Sequence, residues 1–366
     1  MILRKCKGCG AVLQDLDEAK AGFIPVLKED SSYCKRCYRM MHYNELPKII
    51  ASNKDYEHVI DDVVQRNGLI IFVVDIFAFK ATFNKRMIEK LRNKDVILVA
   101  NKYDVFPKST NISNVVNWLS RECEKISFKV DAIHIVSSKK GYYIDDLTNT
   151  IDIARRGRDV YFVGCANVGK SSLINALLKR NTSIKNDVIS TSMIPGTTLN
   201  QIRISFFDDG KYLIDTPGLI NEADILNQLL PISYNKILPS IEMKPITYQI
   251  SNGNAIMLAG LAALEFECDD HISVIVYTSN NLYIHRCKSE KVVDLFNNQL
   301  GVLLTPPDYT EKDNIKYDTK IIELDGIKKK DIWFSGFGFV SVKGKAKLKI
   351  TYPNKTEVFV TNAIIG

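Results

Sequence analysis

Two kinds of apolar pattern divide the chain. In the first half the runs are short and unbroken: Leu69-Ile70-Ile71-Phe72-Val73-Val74, Val96-Ile97-Leu98-Val99-Ala100, Ala132-Ile133-His134-Ile135-Val136 and, after Asp159, Val160-Tyr161-Phe162-Val163. A run without polar alternation suits a strand covered on both faces, as in a parallel sheet. Stretches with helical spacing lie between or after them, near 84–93, 144–155 and 172–178. Strand alternating with helix predicts an α/β domain. Two more strands are expected at 201–207 and 211–214, which gives a six-stranded, mostly parallel sheet.

Past residue 227 the pattern changes. Strand-like runs follow at 246–250, 272–277, 282–285, 332–342, 345–352 and 358–361, with one helix at 291–300. Pro306-Pro307 and the polar stretch 308–318 read as a linker or long loop. The expected division is a cysteine module at 1–46, the α/β domain at 47–226 and a β-rich domain at 227–366.

Composition adds little to this picture. A chain of 366 residues holds two or three domains. Hydrophobic content of 46% and charged content of 25% are those of a soluble globular protein. No apolar run reaches the ~18 residues that span a bilayer, and Met1–Cys6 has no signal-type apolar stretch. A cytoplasmic monomer without membrane association is expected. The net charge of +7 permits a polyanionic partner.

Candidate chemistry sits where the runs end. Gly164-Cys165-Ala166-Asn167-Val168-Gly169-Lys170-Ser171 follows a strand, opens a helix and fits G-x-x-x-x-G-K-[ST]. Glycines let backbone amides turn toward an anion, and the helix N-terminus adds positive potential. Asn167, Val168, Gly169, Lys170, Ser171 and Ser172 would cradle nucleotide phosphates, with Lys170 on the β- and γ-phosphates and Ser171 on Mg²⁺. The loop sits mid-chain, although such a loop usually opens its domain.

Asn101-Lys102-Tyr103-Asp104 follows the second run. A carboxylate at Asp104 accepts from guanine N1–H and the exocyclic amine, a donor pair that adenine lacks. Ser137-Ser138-Lys139, after the third run, has the form of a loop that supports the base. Asp215-Thr216-Pro217-Gly218 ends the last strand of the domain. Asp215 would hold Mg²⁺ through water, and the Gly218 amide would sense the γ-phosphate. Thr197 or Thr198 would complete the Mg²⁺ shell only with that phosphate present, which makes 185–200 an order–disorder switch. Lys170, Thr198 and Gly218 are the expected catalytic residues. The guanine motifs thus precede the phosphate motifs. Rotating a chain's start leaves its site intact when the original termini lie close together.

Four of the eight cysteines form two pairs, Cys6-x2-Cys9 and Cys34-x2-Cys37, with 24 residues between them. Two such knuckles complete a tetrahedral, closed and therefore structural Zn²⁺ site. So small a module has little core, and Zn²⁺ would supply much of its stability. Lys35, Arg36 and Arg39 beside the second knuckle suit either phosphate contacts or a solvated face.

Together these residues resemble the YqeH family of circularly permuted GTPases. The likeness rests on Cys6/Cys9/Cys34/Cys37, Asn101–Asp104, Ser137–Lys139, Gly164–Ser171, Pro195-Gly196-Thr197-Thr198 and Asp215–Gly218, with Ile284-His285-Arg286 and Leu304-Thr305-Pro306-Pro307 further on. The resemblance implies a ribosome-assembly factor that uses GTP and GDP as a switch on the small ribosomal subunit or its assembly intermediate, in contact with rRNA. It also implies K⁺ held beside the phosphates by Asn167 and Thr197, with Thr198 on Mg²⁺. Leu219 stands where Ras-like enzymes carry a water-orienting glutamine, which implies slow intrinsic turnover.

Residues 320–355 hold nine lysines and three acids. In a strand, Lys343, Lys345, Lys347 and Lys349 would share one face, with Ala346, Leu348 and Ile350 toward the core. That face suits rRNA phosphates, or an antiparallel edge strand on which lysine blocks aggregation. Two other functions fit less of the chain. One is a nucleic-acid-binding assembly module whose nucleotide domain hydrolyses negligibly. The other is a metabolic nucleotide enzyme, for which the β-rich region offers no catalytic cluster around His271 or His285.

Overall fold

The computed structural model describes residues 4, 6, 12–16, 22–26, 33–35, 53–180, 191–193 and 201–365. Cys9, Arg36, Cys37, Arg39, Pro195, Gly196, Thr197 and Thr198 lie outside them. The chain forms two compact units: residues 1–76, 84–103 and 120–220, and residues 77–83, 104–119 and 221–366.

Up to residue 215 the elements are α1 (Asn53–Gln65), β1 (Leu69–Asp75), α2 (Phe79–Thr82), α3 (Lys85–Leu91), β2 (Val96–Asn101), α4 (Ile112–Glu124), β3 (Ala132–Ile135), α5 (Ile144–Arg155), β4 (Val160–Gly164), α6 (Lys170–Arg180), β5 (Thr191–Met193), β6 (Ile202–Ser205) and β7 (Tyr212–Asp215). Helix α1, which the run pattern did not single out, buries Tyr56, Val59, Ile60 and Val63 at helical spacing. The first unit is built on a sheet of order β3-β2-β1-β4-β7-β6-β5. It has seven strands where six were expected, because Thr191–Met193 pairs antiparallel with β6 and extends the edge. Strands β3, β2, β1, β4 and β7 run parallel, and β6 is antiparallel to β7. Strands β1, β2 and β4 are buried at every position, as their unbroken apolar runs require. The phosphate-loop strand β4 lies mid-sheet between β1 and β7. A mid-chain loop therefore still reaches the middle of the sheet.

The second unit adds α7 (Pro231–Ile237), β8 (Ile246–Ile250), β9 (Asn254–Leu258), β10 (Ala262–Glu267), β11 (Ile272–Tyr277), β12 (Ile284–Lys288), α8 (Val292–Gln299), β13 (Leu300–Gly301), β14 (Leu304–Asp308), β15 (Tyr317–Asp325), β16 (Lys330–Phe334), β17 (Gly338–Lys343), β18 (Lys345–Pro353) and β19 (Val358–Asn362). Two five-stranded antiparallel sheets, β12-β9-β10-β18-β15 and β19-β16-β17-β11-β8, share one core that joins Ile256, Leu264 and Leu348 to Val274, Ile332 and Val340. The second sheet is buried on its other face too. There Trp333 stacks on Phe339 (4.3 Å) and Phe339 on Tyr277 (4.7 Å). Trp118 packs on Trp333 (5.8 Å), and Phe79 on Trp118 (5.0 Å). Trp118 Nε1 donates to Asn362 O at 2.7 Å. These aromatics are why segments 77–83 and 104–119 pack with the C-terminal strands.

Three expectations for this half need correction. The run 332–342 is two strands, β16 and β17, joined by a turn at Gly336, which takes φ 95°. The polar stretch 308–318 is no long loop: it holds the end of β14, a 3-10 turn at Lys312–Asn314 and the start of β15. The lysine face is smaller than expected and is not at an edge. Lys343 ends β17 in one sheet, the chain crosses at Gly344, and only Lys345, Lys347 and Lys349 share the exposed face of β18. Strand β18 lies between β10 and β15. Its neighbours place Glu267 and Glu323 opposite Lys347, Glu265 opposite Lys349 and Asp325 opposite Lys345. Lys349 Nζ is 2.9 Å from Glu265. Cross-strand carboxylates thus offset the charge of the row, and β18 is not the edge strand that an aggregation guard would occupy.

Candidate functional site

The parallel strands of the first unit carry the motif residues at or just past their carboxyl ends: Asp75 on β1, Asn101 on β2, Ser137 after β3, Gly164 on β4 and Asp215 on β7. The registers set Asp75 beside Asn101 and Phe162 beside Asp215. This is the edge at which open α/β sheets bind ligands.

Around the phosphate loop the backbone is crowded and conformationally unusual. Gly169 adopts φ 92°, and a Cβ there would lie 2.4 Å from Asn101 Nδ2. At Gly218 a Cβ would meet Ala166 Cα at 2.7 Å and Lys170 Nζ at 2.9 Å. Only glycine permits these approaches. Asn167 is exposed in the left-handed region at φ 63°, and Val168 is buried. Lys170 Nζ donates to Gly164 O (3.1 Å) and Cys165 O (3.0 Å). Burial lowers its pKa, against the opposing pull of the Asp215 carboxylate. Ser171 Oγ donates to Asp215 Oδ2 at 2.7 Å, which brings the two expected Mg²⁺ residues together. Ser172 is exposed at the start of α6.

The Asp215–Gly218 turn is tied to the same loop. Thr216 Oγ1 donates to Phe162 O at 2.7 Å. The Ala166 N–H donates to Leu219 O (2.8 Å), and the Leu219 N–H donates to Gly164 O (3.3 Å). Leu219 thus makes a two-way backbone bridge to the loop, a role its side chain does not reveal.

Asn101 braces two loops. Its Nδ2 donates to Val168 O (3.0 Å) and Ser138 Oγ (3.2 Å), and its Oδ1 accepts from the Ser138 N–H (3.0 Å). The residue is 0% exposed. Ser137 Oγ accepts from the Lys140 N–H at 3.0 Å and shapes the loop expected to support the base, from which Lys139 projects exposed. Lys102, at φ 68°, places Nζ 2.5 Å from Asp75 Oδ2. Asp75 was visible in the sequence only as the carboxylate that closes a strand. Asp104 follows in the 3-10 turn Tyr103–Val105, half-buried, and opens the segment 104–119 of the second unit.

Of the cysteine module, Cys6 and Cys34 are described. Both are buried with Leu13 and Ile24, and the Cys34 N–H donates to Cys6 Sγ at 3.3 Å. Among the described residues no group of three or more metal-binding side chains occurs.

A glycine-lined cradle at a helix start, a buried lysine within it, a hydroxyl–carboxylate pair of Mg²⁺-ligand type and the Asn101 motif at the end of β2, two strands from β4, define a P-loop GTPase. GTP or GDP with Mg²⁺ fits these residues. The guanine loop precedes the phosphate loop in the chain, so the domain is circularly permuted.

A family model described as "YqeH-like, C-terminal" matches residues 271–364, and one described as "50S ribosome-binding GTPase" matches residues 159–257. YqeH of Bacillus subtilis (strain 168) is 34% identical over 98% of this chain and 99% of its own length. The chain belongs to the YqeH family. NO-associated protein 1 of Arabidopsis thaliana is 27% identical over 95% of this chain and 71% of its own. GTPase Der of Mycoplasma mycoides is 31% identical over 52% of this chain and 45% of its own. The crystal structure of YjeQ from Thermotoga maritima covers 42% of this chain and 48% of that one, at 24% identity and a TM-score of 0.28, too weak a likeness to bear on the fold.

Proposed function

We propose that this chain is a GTP-hydrolysing switch that assists assembly of the small ribosomal subunit. The observation that carries the reading is Asn101, which joins the guanine-reading strand end to the phosphate loop through Val168 and to the base-supporting loop through Ser138. Asp104 and the 137–139 loop would select guanine, and Lys170 with the amides of 167–172 would hold the phosphates. Ser171, Asp215 and Thr198 would hold Mg²⁺, which when bound neutralises charge on the phosphates. The Gly218 amide and the 185–200 loop would report the γ-phosphate. Leu219 offers no group to orient water, so unassisted turnover is slow. Asn167 and Thr197 would hold K⁺. Cys6 and Cys34, with Cys9 and Cys37, would hold structural Zn²⁺. The functional divisions are 1–46, 47–226 and 227–366, acting as a cytoplasmic monomer. Among the described residues no helix is long and apolar enough to cross a membrane.

The test is co-sedimentation with purified small and large subunits in GTP, GDP and no nucleotide, alongside turnover in K⁺ and Na⁺. Binding to small subunits that depends on nucleotide, with accelerated turnover, is expected. Association with large subunits alone, the assembly named in the matched GTPase description, would replace the small subunit as partner. Binding to subunits without acceleration by subunits or K⁺ would favour a binding module with negligible hydrolysis, which the apolar Leu219 also suits. Metal analysis should find one Zn²⁺ per chain.

A further inference from the structure

With the lysines of β18 compensated, a different cationic surface fits a polyanion better. Strand β12 is the edge of the first sheet of the second unit. Beside it lies a cavity of about 650 Å³, lined by His285, Arg286, Lys288, Lys291, Ser251 and Asn254, with no carboxylate among its lining residues. Arg286, Lys288 and Lys291 are exposed, and the stretch 283–291 sets them against Glu290 alone. Arg286 Nη2 donates to Asn254 Oδ1 at 2.7 Å, which fixes the guanidinium at the cavity. Tyr283 stacks on His285 with ring centroids 5.9 Å apart and planes 23° from parallel, and its hydroxyl is 3.3 Å from His285 Nδ1. Yet Tyr283 remains 40% exposed.

A held guanidinium and two exposed lysines on the same stretch as a stacked, exposed aromatic ring are what single-stranded nucleic acid requires. The cations meet the phosphates and the ring meets an unpaired base. We infer that this edge binds single-stranded RNA, with Arg286, Lys288 and Lys291 on the phosphodiester backbone and Tyr283, backed by His285, as the stacking platform. An acidic peptide would need the charges but not the ring. The inference rests on the proposed action at the ribosome and names the surface that meets rRNA.

Fluorescence anisotropy of a labelled 20-nucleotide oligouridylate with the full chain tests it. Two triple variants remove equal charge: Arg286→Gln/Lys288→Gln/Lys291→Gln at the cavity, and Lys345→Gln/Lys347→Gln/Lys349→Gln on β18. The cavity variant should lose more than about tenfold in affinity, and its salt slope should fall by about 2, at ~0.7 per lost phosphate contact on single strands. The β18 variant should stay within about threefold of wild type. Tyr283→Ala should cost roughly tenfold without changing the salt slope. GTP turnover without RNA should be unchanged in all three. Equal losses in the two triple variants, an unchanged slope in the cavity variant or no RNA binding by the wild type would each overturn the site. Displacement of RNA by polyglutamate as readily as by oligouridylate would overturn it too, in favour of an acidic protein segment. Co-sedimentation separates this from the broader function: absent subunit binding by the wild type sinks that function, whereas wild-type-like binding by the cavity variant sinks only the site.

Discussion

Replacing Asn101 with alanine tests whether the two nucleotide loops are held in register by one side chain. The amide makes three neutral hydrogen bonds, to Val168 O, Ser138 Oγ and the Ser138 N–H, at 3.0–3.2 Å. Each contributes about 1 kcal/mol net, and Val168, being buried, leaves its carbonyl without easy access to water. Ser138 is half-buried, so water recovers part of its share. The total loss is about 2–3 kcal/mol. Because the proposed nucleotide site draws on both loops, much of this should appear as lost affinity, about 30- to 150-fold in Kd for GDP. Titration with a fluorescent GDP analogue measures it, and thermal unfolding without nucleotide should show a lower Tm. Asn101→Asp should not rescue, since a carboxylate oxygen would face the Val168 carbonyl. A GDP affinity within threefold of wild type would refute the bracing role and leave Asn101 a local turn residue.

Gly218→Ala should abolish γ-phosphate-dependent turnover while sparing most GDP affinity, because its methyl would collide with Ala166 Cα at 2.7 Å; retained single-turnover hydrolysis would count against this. Asp104→Asn should weaken GTP binding by about 100-fold or more through loss of a charge-assisted bond pair, with xanthosine triphosphate recovering affinity; unchanged GTP binding would remove Asp104 from base recognition. Asp331, which accepts from Ser341 Oγ and the Ile364 N–H, is raised to about 6 by burial. The folded unit therefore holds this proton more tightly than the unfolded chain does. The associated stabilisation is complete below about pH 4 and is lost as pH rises through 6. Urea midpoints of wild type and Asp331→Asn should diverge with pH over that window, and parallel profiles would show that the carboxyl does not titrate there.

The placement of the candidate nucleotide site was legible because its strands are buried on both faces and end in polar motifs. Leu69–Val74 and Val96–Ala100 could only be central strands, and Asn101 and Gly164 had to fall at their ends. The bracing bonds of Asn101 and the backbone bridge of Leu219 were not legible, since neither depends on a distinctive side-chain pattern at the partner. Strands β9 and β10 were missed for a different reason. Ala255, Ala262 and Ala263 have weak strand preference, and flanking strands, not composition, hold them in the sheet. The lysine row shows the limit most directly. Alternation correctly placed Ala346, Leu348 and Ile350 inside. The carboxylates that neutralise the row come from Glu265, Glu267, Glu323 and Asp325, on strands whose adjacency only the fold reveals.

The aromatic cluster around Trp333 has a consequence for synthesis. Phe79 and Trp118 emerge from the ribosome early, but the bond from Trp118 closes on a carbonyl 244 residues later. At roughly 5–20 residues per second that is a wait of about 10–50 s. During it, two segments that interrupt the nucleotide-binding unit lack Trp333 and Phe339, the aromatic partners of Trp118 and Phe106. The chain is thus committed to finishing the C-terminal sandwich before those segments are secure. A fragment ending near residue 220 would carry the same exposed aromatics permanently, and aggregation rather than an independent nucleotide-binding domain is its expected fate.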